Sequence, residues 1–120
     1  MSKKRIKEPA KELSPLALEL IASRFRALSE PVRLRLLNLL MQGEHTVGQL
    51  VEASGSGQAN VSKHLAVLRD AGMVGMRKEG LTTVCFIADA IVKELCEMMC
   101  SRLRVEMESK AAALSFDPEI

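Results

Sequence analysis

A mainly α-helical domain with one small β-hairpin, in the order α-α-α-α-β-β-α, is what this 120-residue sequence predicts. Three observations carry that expectation. Leucine, valine and methionine recur at helical spacing over most of the chain. Aromatic residues make up only 2%, three Phe with no Trp or Tyr, so the core must be built from aliphatic side chains. Strand-forming residues cluster once, in "MVGMRKEGLTTVCFI", on either side of Glu79-Gly80, and that pattern reads as a tight hairpin.

Taken in order, residues 1–12 hold Lys3, Lys4, Arg5, Lys7 and Lys11 with little to bury. They read as a flexible basic arm, either simply solvated or adding phosphate contacts. The domain proper runs from 13 to 116. Ser14-Pro15 reads as an N-cap and first helical residue. Leu16, Leu20, Ile21, Phe25 and Leu28 then trace one helical stripe. Ser29-Glu30-Pro31 opens a second helix, with Leu34, Leu37 and Leu40 expected inward and Arg33 and Arg35 outward, and Gly43 ends it. From Thr46 to Leu68 two short helices flank a Gly/Ser turn, "SGSG". Val47, Leu50 and Val51 form the inward face of the first, and Val61, Leu65 and Leu68 that of the second. The hairpin follows, with Arg77 and Lys78 expected at its tip. Asp89 is positioned to cap a long last helix whose apolar band is Val92, Leu95, Met99, Leu103 and Met107. Ile91 and Met98 widen that band on one side, Cys96 and Cys100 on the other. Pro118 stops the helix, leaving 117–120 as a tail.

The second helix of the central pair has a polar outer stripe, Asn60, Lys63 and His64. A short helix with a buried apolar face and hydrogen-bonding side chains outward suits a DNA major groove. With the hairpin as a wing beside it, the arrangement is a winged helix-turn-helix. The net charge of +2 says little by itself about a polyanionic partner; the local placement of charge matters more. The first and last helices are more apolar than a solvated monomer needs, so each is expected to pair with a second copy. A homodimer would present two reading helices to a palindromic double-stranded operator about one DNA turn apart.

No apolar run approaches the length of a membrane span, and the basic start lacks the apolar stretch of a secretory signal. Cytoplasmic is the expected location, where Cys85, Cys96 and Cys100 are better suited to free, redox-active or metal-binding roles than to a permanent staple. Nothing resembles an enzyme: there is no Gly-rich phosphate loop, no paired acid cluster, and no base near a cysteine. A winged helix that binds only protein is the other class, but it would need an apolar reading face.

The run "RFRALSEPVRLRLLNLLMQGEHTVGQLVEASGSGQANVSKHLAVLRDAGMVGMRKEG" resembles the ArsR/SmtB family of bacterial winged-helix repressors. The resemblance spans residues 24 to about 87 and rests on "ALSEPVRLRLLNLL", "VSKHLAVLRDAGMV" and the wing glycine Gly80 taken together. It implies a dimeric repressor that leaves its operator when an effector binds. It makes Gln58–Ala71 the recognition helix and places the family's Val-Ser-x-His-Leu pattern on Val61, Ser62, His64 and Leu65. Ser62 would then contact phosphate, and Lys63 and His64 would face the groove. Gln58, Asn60, Ser62, Lys63, His64, Arg77 and Lys78 are thus the candidate DNA-binding residues. Several departures stand out. Gly57 replaces the usual serine or threonine at the start of the reading helix, with Ser56 in place of the preceding leucine. "TVC" falls where an aromatic wing segment is usual. "HTVGQLV" has no cysteine where metal-sensing members carry Cys-x-Cys, and no histidine follows Asp89 to complete the zinc site of other members.

The remaining sensing candidates are Cys96 and Cys100, at i and i+4 on one side of the last helix, about 6 Å apart between Cα atoms. Two thiolates suit a soft ion such as As(III) or another thiophilic ion, with Cys85 or a partner cysteine as third ligand. Reactive sulfur or an oxidant would form a polysulfide or disulfide instead. The alternatives are that these cysteines simply pack, or that the effector is an apolar ligand or none at all. No other cofactor is implied.

Overall fold

Prolines and their neighbours set the start of the first two helices. Helix α1, Pro15–Ala27, begins where the Ser14 hydroxyl accepts the Ala17 N–H at 3.1 Å, with Pro15 at the first helical position, where its missing N–H costs nothing. Helix α2, Pro31–Met41, repeats the proline start without a side-chain cap. The computed structural model describes residues 11–114. The expected basic arm therefore lies almost wholly outside the described residues, as do the tail and Pro118.

The central pair is α3, Val47–Ser54, and α4, Gln58–Asp70. A reciprocal capping box starts α3: Thr46 Oγ1 accepts the Gln49 N–H at 3.0 Å, and Gln49 Oε1 accepts the Thr46 N–H at 2.9 Å. Gly55 ends it in the left-handed region, with φ +76°, which lets the chain reverse within three residues. Strands β2, Val74–Glu79, and β3, Thr82–Ile87, form the hairpin. Glu79 pairs with Thr82, so the two turn residues are Gly80, with φ +65°, and Leu81, one position later than expected. A two-residue strand not anticipated from the sequence, β1 (His45–Thr46), pairs antiparallel with β3, giving the sheet order β1-β3-β2. Helix α5, Ile91–Leu114, starts where Asp89 Oδ1 accepts the Ile91 N–H at 3.0 Å. The fold is the expected winged helix-turn-helix with one short strand added.

The core lies where α2, α3 and α4 meet the sheet. Leu36, Leu37, Leu50, Val61, Leu65, Leu68, Val92 and Cys85 are fully enclosed, and each large apolar side chain removed from water contributes about 1.5–3 kcal/mol. The phase of α2 differs from the expected one. Its buried face is Leu36, Leu37, Leu39 and Leu40, whereas Leu34 is 41% exposed. Arg33 precedes Leu36 and Leu37 by three and four residues and therefore shares their side, turning inward rather than out.

The flanking helices are apolar yet uncovered. Only Ala27 of α1 and Val92 of α5 are buried. Leu16, Leu20, Phe25, Met99, Leu103 and Met107 are all exposed. None of the described helices is long and apolar enough to cross a membrane.

Candidate nucleic-acid interface

Helix α4 is held by its inner face, which determines what its outer face presents. Val61, Leu65 and Leu68 are wholly buried, so Gln58, Ala59, Ser62, Lys63 and Arg69 fall on the solvent side. Asn60 is half-buried at the edge of that surface. The helix begins at Gly57 without any side-chain cap, so its first backbone N–H groups have no side-chain acceptor at the cap. Such an end is electropositive and suited to a phosphate oxygen, beside the exposed Ser62 hydroxyl. Lys63 makes no ion pair among the described residues, so its charge is available to a polyanion.

His64 corrects the sequence reading. It is only 7% exposed and lies against α2, not toward a groove. Its Nδ1 stands 3.0 Å from Arg33 Nη1, and the same guanidinium donates to the carbonyls of Ala27 at 2.7 Å and Arg26 at 3.1 Å. Arginine only donates, so His64 Nδ1 is the acceptor and the ring is the neutral Nε2–H tautomer. Burial, then the charges of Arg33 and Lys63, push the imidazole below the ordinary histidine value, against a weaker opposite pull from Glu30.

Arg77 corrects it again. It lies three residues before Gly80, opposite Val84, rather than at the tip. Its guanidinium makes two bonds to Glu44, at 2.7 and 3.1 Å, and one to Glu79 at 2.8 Å, and sits 5.7 Å from the centre of the Phe86 ring. A charge so engaged ties the wing to the segment before β1 instead of reaching for phosphate. Lys78 remains exposed beside it, and the tip itself is the fully exposed Leu81. Periodicity could not announce Leu81, because an apolar residue in a strand-rich run reads as core.

The cysteines divide. Cys85 is 0% exposed, opposite Met76 in the sheet, and burial pushes its thiol up; this placement gives no support to its role as a third ligand. Cys96 is half-buried against the core, also with its thiol pushed up by burial. Cys100 is exposed, with Arg104 Nη2 3.9 Å from its sulfur. Among the described residues no cluster of three or more His, Cys, Asp or Glu is arranged to hold a metal ion.

Comparison with known proteins identifies the family. The family described as bacterial regulatory protein, arsR family, matches residues 30–75. The uncharacterized HTH-type transcriptional regulator Rv0081 of Mycobacterium tuberculosis is 34% identical over 86% of this chain and 90% of its own length. The chain belongs to the ArsR family. The crystal structure of Rv0081 superposes on it with a TM-score of 0.75, covering 83% of this chain and 100% of that one at 33% identity. The homodimeric winged helix-turn-helix DNA-binding domain Mb0332 from Mycobacterium bovis, a possible ArsR-family regulator, gives a TM-score of 0.74 over 84% of this chain and 95% of that one, at 29% identity. A probable mercury resistance operon repressor of Streptomyces lividans is 41% identical over 59% of this chain, which spans 57% of that relative's length. As an ArsR-family member the chain is a DNA-binding transcriptional regulator, not an enzyme.

Proposed function

We propose that this ArsR-family regulator acts as a homodimeric repressor on a palindromic double-stranded operator, read by the outer face of α4. The observation that carries the reading is that one surface of α4 combines an uncapped N-terminus, the Ser62 hydroxyl and the unpaired Lys63, while the inner surface is locked in the core. Gln58 and Asn60 supply amide groups for base edges; Ser62, Lys63 and Lys78 supply phosphate contacts. The uncovered apolar faces of α1 and α5 supply the dimer contact, in keeping with the homodimeric relative. The test is selection of bound duplexes from a random library. Enrichment of an inverted repeat supports the reading, and enrichment of nothing defeats it.

Release of DNA through Cys96 and Cys100 is the proposed signal. Cys100 lies on the exposed face of α5 and Cys96, one turn earlier, at its border with the core, where covalent or ionic capture would alter the dimer contact and so the spacing of the reading heads. With Cys85 enclosed, a third thiolate for As(III) comes from the partner or from solution. DNA release is read on adding As(III), Zn(II) or tetrasulfide to the pure protein. If Cys96→Ser/Cys100→Ser leaves every response unchanged, the cysteines only pack and the effector is a non-thiol ligand or none.

A further inference from the structure

The Arg33–His64 pair sits where three elements meet, and none of its contacts is to the reading surface. Arg33 donates to two carbonyls in the last turn of α1, closing a helix end whose partial charge is negative, and to His64 in the middle of α4. Two side chains thereby tie the helix that carries the exposed apolar stripe to the helix that reads DNA. We propose that Arg33 and His64 are positioning residues for DNA binding, holding α4 against the α1–α2 corner only while the imidazole is neutral, so that protonating His64 frees the reading helix.

The reason is donor arithmetic. A guanidinium has no acceptor and does not lose its proton, so a protonated Nδ1 would turn a 3.0 Å hydrogen bond into two donors and two like charges face to face. The groups around the ring are Arg33 and Glu30 from the α2 end and Lys63 from α4. Arg26 from α1 and Asp70 from α4 line, with Arg33, the adjoining crevice of about 290 Å³. Glu30 alone among the groups acting on the ring favours the cation, and it is outweighed by burial and the two positive charges. The group's value is thus lowered on folding. Its contribution is present above the unfolded histidine value and is lost as the pH falls through the folded one.

The test uses the full chain and a duplex enriched from a random library, with affinity read by fluorescence anisotropy between about pH 8 and pH 5.5. The unaltered protein is expected to lose affinity progressively as the pH falls toward the folded value of His64, with a limit of about tenfold when the ring is fully protonated, the scale of one buried hydrogen bond to a charged group. His64→Asn, which keeps an acceptor near the Nδ1 position but cannot titrate, is expected to bind as tightly at high pH and to keep that affinity in acid. His64→Leu and Arg33→Met are expected to bind about tenfold more weakly at high pH with a flat profile. A His64→Asn profile identical to the unaltered one, or full affinity in folded His64→Leu, overturns the proposal. The ring itself gives a readout independent of DNA, and it decides if the leucine variant does not fold or no duplex is enriched. Its nitrogen NMR signals should report the Nε2–H tautomer and a titration point that rises in Arg33→Met; an Nδ1–H tautomer overturns the proposal. Failure to enrich any duplex would instead count against the operator reading.

Discussion

The central unit and the flanking helices use the same aliphatic residues to opposite ends. In α2, α3, α4 and the sheet the leucines and valines close on one another, and Leu36, Leu37, Leu50, Leu65 and Leu68 see no solvent. In α1 and α5 equally apolar side chains stand open: Leu16 is 65% exposed and Met98 68%. Composition does not separate these regions. What separates them is whether the chain supplies a facing surface. The central helices pack on one another within a single copy, while α1 and α5 bury only Ala27 and Val92 among the described residues. The reading unit closes its apolar side chains on one another, whereas the flanking helices keep exposed the stripes proposed above for the dimer contact.

The largest effect is expected at the core. Leu65→Ala should cost about 2–5 kcal/mol in urea unfolding, since the enclosed site has little freedom to collapse. A cost below about 1 kcal/mol would mean that the central unit is not closely packed. On the flanking side, Leu103→Glu puts a charge on a residue already 46% exposed within one chain. Sedimentation should show dimer association weakened by more than about 2 kcal/mol, because the charge would be buried between copies. An unchanged dimer would show that the contact lies elsewhere.

Smaller effects sharpen the reading surface. Asn60→Ala should shift sequence preference by about 1–3 kcal/mol at the position it reads, seen by repeating the duplex selection. Lys63→Ala should weaken binding to all sequences alike and reduce the salt slope by about one, measured by anisotropy over a salt series. The smallest effect belongs to the wing brace. The Arg77 guanidinium, chiefly by its hydrogen bonds to the carboxylate, holds the exposed Glu44 below the usual carboxylate range. Its contribution is therefore present at neutral pH and lost only as the pH falls below that range. Glu44→Gln should lower the melting temperature slightly at neutral pH, and the difference should vanish in acid.

Much of this was legible beforehand because the signals were local. Ser14-Pro15, Asp89 and the glycine turns act over three or four residues, so their roles follow from spacing alone. The two errors that matter, Arg33 and His64, share a cause. Leu34, Leu37 and Leu40 satisfy helical spacing as well as Leu36, Leu37 and Leu40 do, and only the latter phase turns Arg33 inward to meet a residue 31 positions away. One residue of turn register moves Arg77 off the tip, and its partner Glu44 is 33 positions distant. Strand β1 is too short, at two residues, to carry any pattern.

The order of the five helices and the hairpin, and the apolar character of the flanking helices, follow from sequence alone, because periodicity and caps are properties of adjacent residues. Only the tertiary structure decided which polar side chains on those elements face a partner and which are consumed inside the fold. A hydrogen bond such as Arg33 to His64 depends on how two helices are rotated against each other, and that rotation is set by the packing of the whole core.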